Sequence, residues 1–151
     1  MIPLFTKTGL LPAGEHLATW DEIVAHYGTN SHRLRLLAGL FEAIQALQTA
    51  QSEWILINGS FVTDKKYPND IDACYDDQNL DYDLLEQLEP SLLEFANARA
   101  AQKARFGCEF FPARAIADSA GKTFQQFFQF DRYNQAKGII KLELKQKGGS
   151  P

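Results

Sequence analysis

The run Trp54-Ile55-Leu56-Ile57, unbroken by any polar residue and stopped by Asn58-Gly59, constrains this chain more than any other stretch of it. Consecutive apolar residues rich in β-formers read as a buried strand, because a strand with one face in water would alternate polar and apolar positions. Nine residues separate Ser60 from Asp70, and they end in Pro68-Asn69, so this connection reads as a loop or a short helical turn plus loop. Asp70-Ile71-Asp72-Ala73-Cys74-Tyr75 does alternate, which predicts a second strand with both carboxylates on one face.

Helical patterns flank this pair. Leu34, Leu37, Leu40, Phe41, Ile44 and Leu47 recur at three- and four-residue steps behind an Asn30 or Ser31 cap, giving one apolar stripe. Thr19 is an N-cap with Glu22 at the capping-box position, opening a shorter helix that ends near Gly28. Residues 1–18, with Pro3, Gly9, Pro12 and Gly14 among scattered apolar residues, read as an extended arm anchored on the domain by Leu4, Phe5, Leu10 and Leu11. Asp76, Asp77, Asp81 and Asp83 read as a solvated loop and helix start. Two helical segments, 82–88 and 91–105, follow, separated by Pro90 and closed by Gly107. Cys108–Pro112, Phe124–Phe130 and Gly138–Leu144 are expected to be further strands, the last alternating Ile140, Leu142 and Leu144 against Lys141, Glu143 and Lys145.

With 151 residues and 45% hydrophobic content, there is apolar material for one core and not for two. The expectation is a single domain over 1–147, with 148–151 a disordered end or an expression scar. A net charge of −4 with no long block of Lys or Arg argues against a nucleic-acid backbone as an obligatory partner. Cys74 and Cys108 lack the spacing of a zinc knuckle, and His16, His26 and His32 do not complete one. Met1 to Gly14 holds no apolar run long enough for a signal peptide or membrane span, so a cytoplasmic address with reduced thiols is the default expectation, and no membrane partner.

The chemistry sits in Gly59-Ser60 and Asp70-Ile71-Asp72. A glycine directly after a buried strand lets the backbone approach a triphosphate, and the amides that follow, with the Ser60 hydroxyl, can donate to phosphate oxygens. Two aspartates two apart on a strand can reach one hard cation, Mg²⁺ or Mn²⁺, through oxygen ligands. A cation near such acids is needed to counter triphosphate charge, and Lys137, preceding Gly138 at a strand start, is the candidate; Arg132 is a second.

Gly-Ser followed by Asp-x-Asp on the adjacent strand resembles the hallmark of the nucleotidyltransferase superfamily. That resemblance implies a third metal-binding carboxylate on a later strand across a helix, and Glu109, within Cys108-Glu109-Phe110-Phe111, falls where that acid is expected. It also implies an α/β (α+β) fold with a mixed sheet of about five strands and helices mainly on one face, the site lying at the sheet edge of strands 54–57 and 70–75. Leu11-Pro12-Ala13-Gly14, Gly59-Ser60-Phe61-Val62-Thr63, Phe127-Phe128-Gln129 and Lys137-Gly138-Ile139 further resemble an uncharacterised bacterial family of small proteins placed in that superfamily. One departure stands out. Minimal nucleotidyltransferases that accompany toxin partners carry a small residue, Arg and Gly after the Gly-Ser, whereas Phe61-Val62-Thr63 follows here, and Lys65 or Lys66 is left to supply that positive charge.

Other residues have plainer readings. A lone Cys74 on the aspartate face is expected to pack, the histidines to cap or face solvent, and Phe124, Phe127, Phe128 and Phe130 to be core. The functional expectation is Mg²⁺-dependent transfer of a nucleoside monophosphate from an NTP to a hydroxyl on a protein, an RNA end or a small molecule. In it Gly59, Ser60, Lys65 and Lys137 hold phosphates, Asp70, Asp72 and Glu109 bind metal, and Glu109 helps to activate the acceptor. The rival expectation is a non-catalytic relative that works through a protein partner, as one half of a toxin–antitoxin pair or a phage-defence component. A second copy of the chain is a further candidate partner.

Overall fold

The computed structural model describes residues 1–144 of the chain. The expected tail at 148–151, the domain limit at 147 and the alternation at Lys145 lie outside the described residues. Five strands form one mixed sheet: β1 (Gly14–Leu17), β2 (Trp54–Asn58), β3 (Ile71–Tyr75), β4 (Cys108–Pro112) and β5 (Gly138–Glu143), in the order β1-β5-β2-β3-β4. β1 runs parallel to β5, β5 and β2 are antiparallel, β2 and β3 are antiparallel, and β3 runs parallel to β4. The C-terminal end of β2 therefore meets the N-terminal ends of β1, β3, β4 and β5 at one end of the sheet.

The helices are α1 (Trp20–Tyr27), α2 (Ser31–Thr49), α3 (Tyr82–Leu88), α4 (Ala96–Phe106) and the short α5 (Phe124–Phe127). α1 starts on the Thr19–Glu22 capping box, and Asn30 caps α2 by accepting from the Arg33 amide at 2.8 Å. The α2 stripe is rotated from its expected position. Arg33, Leu36, Leu37, Leu40, Ala43, Ile44, Ala46 and Leu47 are buried, whereas Leu34 and Phe41 are 46% and 41% exposed. Ala43 and Ala46 supply part of the inner face, and small residues contribute little to a pattern judged on large side chains.

The first four helices cover one face of the sheet. Ile55, Ile57, Ile71, Ala73, Tyr75, Cys108, Phe110, Ile140 and Leu142 alternate inward there against α1, α2 and α3. The opposite face carries a smaller cluster of Leu56, Cys74, Ala113, Phe128 and Ile139, with Phe111 and Phe124 packed on it. Burying apolar side chains on both sides of β2 and β3 at roughly 1.5–3 kcal/mol each is what holds the central strands in place.

Several expectations change. Phe124–Phe130 is not a strand: Thr123 and Gln126 form a capping box that opens α5, and Phe124 and Phe128, four apart, both meet Phe111, with ring centroids at 4.5 and 5.5 Å. The fifth strand comes instead from the N-terminal arm, through β1. Gly138 permits this, since a Cβ there would lie 2.0 Å from the Pro12 carbonyl oxygen, and its amide donates to Leu11 O at 3.1 Å. The expected helix over 91–105 is shorter: Pro90–Leu93 is a 3₁₀ turn, and α4 begins at Ala96 with Asn97, Ala98 and Arg99 in left-handed conformation (φ 54°, 52° and 60°). Strands β2 and β3 lie inside the sheet, so Asp70 and Asp72 sit at a strand end and not along a lateral edge, and Glu109 alone belongs to an edge strand, β4.

Candidate metal centre

Strand register brings the acids together. Asp72 pairs with Asn58 on antiparallel β2 and with Glu109 on parallel β4, so Asn58, Asp72 and Glu109 form one row across three strands. Side chains in one row project from the same face. Asp70, immediately before β3, shares the Asp72 face by alternation, and one carboxylate oxygen from each of Asp70, Asp72 and Glu109 lies within 4.8 Å of the others.

Gly59 closes the row from above. Its φ of +84° and ψ of −172° lie where L side chains are strained, and a Cβ there would stand 2.9 Å from Asp72 Oδ2. Glycine is thus required twice at one position. Ser60 opens a 3₁₀ turn over Ser60–Val62, and its carbonyl accepts from the Thr63 hydroxyl at 2.6 Å and the Thr63 amide at 3.2 Å.

The loop beyond that turn is fixed from beneath by Arg33 of α2. Its guanidinium donates to Phe61 O at 2.7 Å, Thr63 O at 3.0 Å, Lys65 O at 2.5 Å and, at longer range, Tyr27 O at 3.4 Å. A rigid fork of donors suits this task in a way that an ammonium does not. Arg33 is absent from the expected site, although a cation in phase with Leu36, Leu37 and Leu40 marks it in the sequence.

The electrostatics are those of crowded like charges. The Asp72 carboxyl is pushed up to about 7, first by burial and then by Asp70 and Glu109, with Lys137 opposing. Asp70 is also raised, by burial and then by Glu109, with Lys103 and Lys65 pulling it down. Burial lowers Lys137, while Asp72 and Asp131 favour its charged form. Glu109 accepts from Arg99 Nε at 2.9 Å, and Lys103 Nζ stands 3.9 Å from the same oxygen. The Arg99 guanidinium also lies over the Phe111 ring, 4.3 Å from its centroid.

Two buried oxygens, Asp72 Oδ1 and Asn58 Oδ1, have no hydrogen-bond partner among the described residues. Leaving such a group unpaired costs about 1–3 kcal/mol, more when it is charged. Three carboxylates and an amide oxygen are a hard donor set, suited to Mg²⁺ or Mn²⁺ and not to zinc. The orphaned oxygens and the raised acids are both relieved by a divalent cation, so these residues fit one.

The sequence-derived candidates are placed unevenly. Asp70, Asp72, Glu109 and Gly59 come together, Lys137 is half-buried within the field of Asp72, and Ser60 begins the adjoining turn. Lys65 is exposed and reaches the site only through its influence on Asp70. Arg132 is exposed on the turn before β5. Asn58, Arg99 and Lys103 were not expected, because strand register and the path of α4 decide their neighbours. The acidic stretch after β3 also differs from expectation: Asp76 and Asp77 are buried. Asp76 accepts from the amides of Glu53 and Gln78, and Asp77 pairs with Arg114 at 3.3 Å. Cys74 packs on the open face, its thiol pushed far up by burial.

Residues 3–143 match a family described as a family of unknown function (DUF6932). The chain belongs to that family. The match takes in the five strands, Gly59 and all three acids of the cluster. No curated protein and no solved structure matches the chain. No helix among the described residues is long and apolar enough to cross a membrane.

Proposed function

We propose that this protein is a cytoplasmic nucleotidyltransferase that moves a nucleoside monophosphate from an NTP to a hydroxyl on a protein, an RNA end or a small molecule, using Mg²⁺ or Mn²⁺. The observation that carries the reading is the convergence of Asp70, Asp72 and Glu109 within 4.8 Å, beside a glycine whose φ is +84°. Asp70, Asp72 and Glu109 would hold the ion, with Asn58 Oδ1 as a further oxygen donor. When bound, the ion neutralises charge on the triphosphate and lowers the pKa of an acceptor hydroxyl.

The chain supplies the rest. Gly59 lets the backbone approach the phosphates, and the Ser60 hydroxyl with the first amides of its turn can donate to their oxygens. Lys137 acts on Asp72 and Lys65 on Asp70, and burial makes Lys137 the better placed of the two. In the reaction the acceptor oxygen bonds to the α-phosphorus as the bond to the bridging oxygen breaks. Pyrophosphate leaves, and the hydroxyl proton passes to a carboxylate, a role that Glu109 can take.

The Arg99–Glu109 ion pair favours a second reading, in which internal cations neutralise the triad and the protein acts by association with another protein, as a toxin–antitoxin or phage-defence component would. Incubation with labelled NTPs and Mg²⁺ against an Asp70→Ala/Asp72→Ala control separates the two. Metal-dependent pyrophosphate release that the control lacks supports transfer. A wild-type protein that binds neither Mg²⁺ nor any NTP removes it and leaves the association reading.

A further inference from the structure

A cavity lies behind the loop that follows Ser60, on the α1 side of the molecule. It measures about 370 Å³ and is lined by Phe5, His26, Tyr27, Arg33, Lys65 and Lys66, among others. That volume is within the range of small-molecule sites.

Three features of its wall favour an anionic ligand. Arg33 is 3% exposed, yet among the described residues no carboxylate lies within ion-pair distance of it. Its carbonyl partners satisfy N–H groups without neutralising the charge, and a buried charge lacking a counter-ion is costly. Secondly, His26 Nε2 and the Tyr27 hydroxyl are buried with no hydrogen-bond partner among the described residues. Burial holds the Tyr27 phenol in its protonated, donating form, and burial together with Arg33 holds His26 neutral. Thirdly, the exposed Lys65 and Lys66 add two cations at the mouth, against one lining acid, Asp64.

We propose that this cavity binds a phosphate monoester whose alcohol bears a planar ring, the class to which nucleoside monophosphates belong. Three cations against Asp64 leave a surplus of two positive charges, matching a phosphate dianion. Lys66 and the Tyr27 hydroxyl serve the phosphate oxygens, and Lys65 is shared with the Asp70 site. The ring packs on Phe5 and His26, whose centroids are 5.6 Å apart in an edge-to-face pair, and His26 Nε2 gives it a polar contact. Arg33 supplies field without direct contact, since both of its terminal nitrogens are engaged by the loop. Among the described residues the one group of three candidate metal ligands is the acid cluster, so this site operates without divalent ions.

Calorimetric titration of the full chain in EDTA tests this, with AMP, inorganic phosphate and benzoate as probes and amide NMR shifts as the map. AMP is expected to bind, with shifts centred on Tyr27 and Thr63–Lys66, and inorganic phosphate and benzoate to bind at least about tenfold more weakly. Lys66→Gln and Tyr27→Phe should each weaken AMP by about five- to tenfold, while Asp72→Ala leaves it unchanged. Should Tyr27→Phe fail to fold, the surface variant Lys66→Gln carries the test. No AMP binding in EDTA at ~5 mM, or binding lost in Asp72→Ala and kept in Lys66→Gln, overturns the proposal; inorganic phosphate binding as tightly as AMP overturns its ring component.

Discussion

Asp72→Asn should make the metal-free protein more stable while removing its metal site. In the folded chain the Asp72 carboxyl titrates at about 7, against 3.8 for the unperturbed group. A carboxyl raised by folding keeps its proton where the unfolded chain has lost it. Its contribution to stability is therefore complete below pH 4, is lost as pH rises through about 7, and does not return above that. A shift of about three pH units at ~1.4 kcal/mol each sets an upper bound near 4 kcal/mol, and relaxation of the shared repulsion reduces it to about 2–4 kcal/mol. Asparagine has no such titration, and its amide can donate to the neighbouring Asp70 and Glu109 oxygens. In EDTA at pH 8, urea unfolding should show Asp72→Asn about 2–4 kcal/mol more stable than wild type, with a melting point higher by roughly 5–12 °C for a chain of this length. At pH 4 the two should agree within about 1 kcal/mol. Adding Mg²⁺ at pH 8 should raise wild type and leave the variant unmoved. A variant less stable than wild type at pH 8, or a gap that does not change between pH 4 and pH 8, would refute the account of a strained, cation-seeking acid cluster.

Gly59→Ala must place a Cβ 2.9 Å from Asp72 Oδ2 at a φ of +84°; chemical denaturation should show a loss of about 2–3 kcal/mol, together with weaker Mg²⁺ binding by calorimetry. Arg33→Met leaves the Phe61, Thr63 and Lys65 carbonyls without their donor, so a stability loss of about 3 kcal/mol or more is expected. Hydrogen exchange in that variant should quicken at residues 61–66 and stay slow in β2. For Lys137→Ala, nucleotide affinity should fall about tenfold by fluorescence titration, and an unchanged affinity would remove Lys137 from the phosphate site. Mg²⁺ affinity in the wild type should rise as pH passes upward through about 7, because Asp72 must lose its proton to ligate.

Much of this protein is written in local pattern. The apolar run at Trp54–Ile57, the alternation from Asp70 to Tyr75 and the Thr19–Glu22 and Asn30 caps each depend on neighbours within a few residues, and the structure has β2, β3, α1 and α2 where those signals stand. Phe124–Phe130 is ambiguous for a local reason: phenylalanines at 124, 127 and 128 fit helical spacing as well as a strand, and the Thr123–Gln126 capping box decides between them. β1 could not be read because a short strand at the end of a sheet exists only through its partner, here β5.

The sequence by itself determined that a buried strand ends in a glycine and that two carboxyl groups share one face of the next strand, since backbone sterics and a two-residue period need no long-range partner. Only the tertiary structure decided that Glu109 and Asn58 flank Asp72, that Arg99 reaches Glu109, and that Arg33 grips the loop after Ser60. Those neighbours are set by strand register and by the packing of α2 and α4. Register depends on which side chains bury together, a property of the assembled core and not of any one segment.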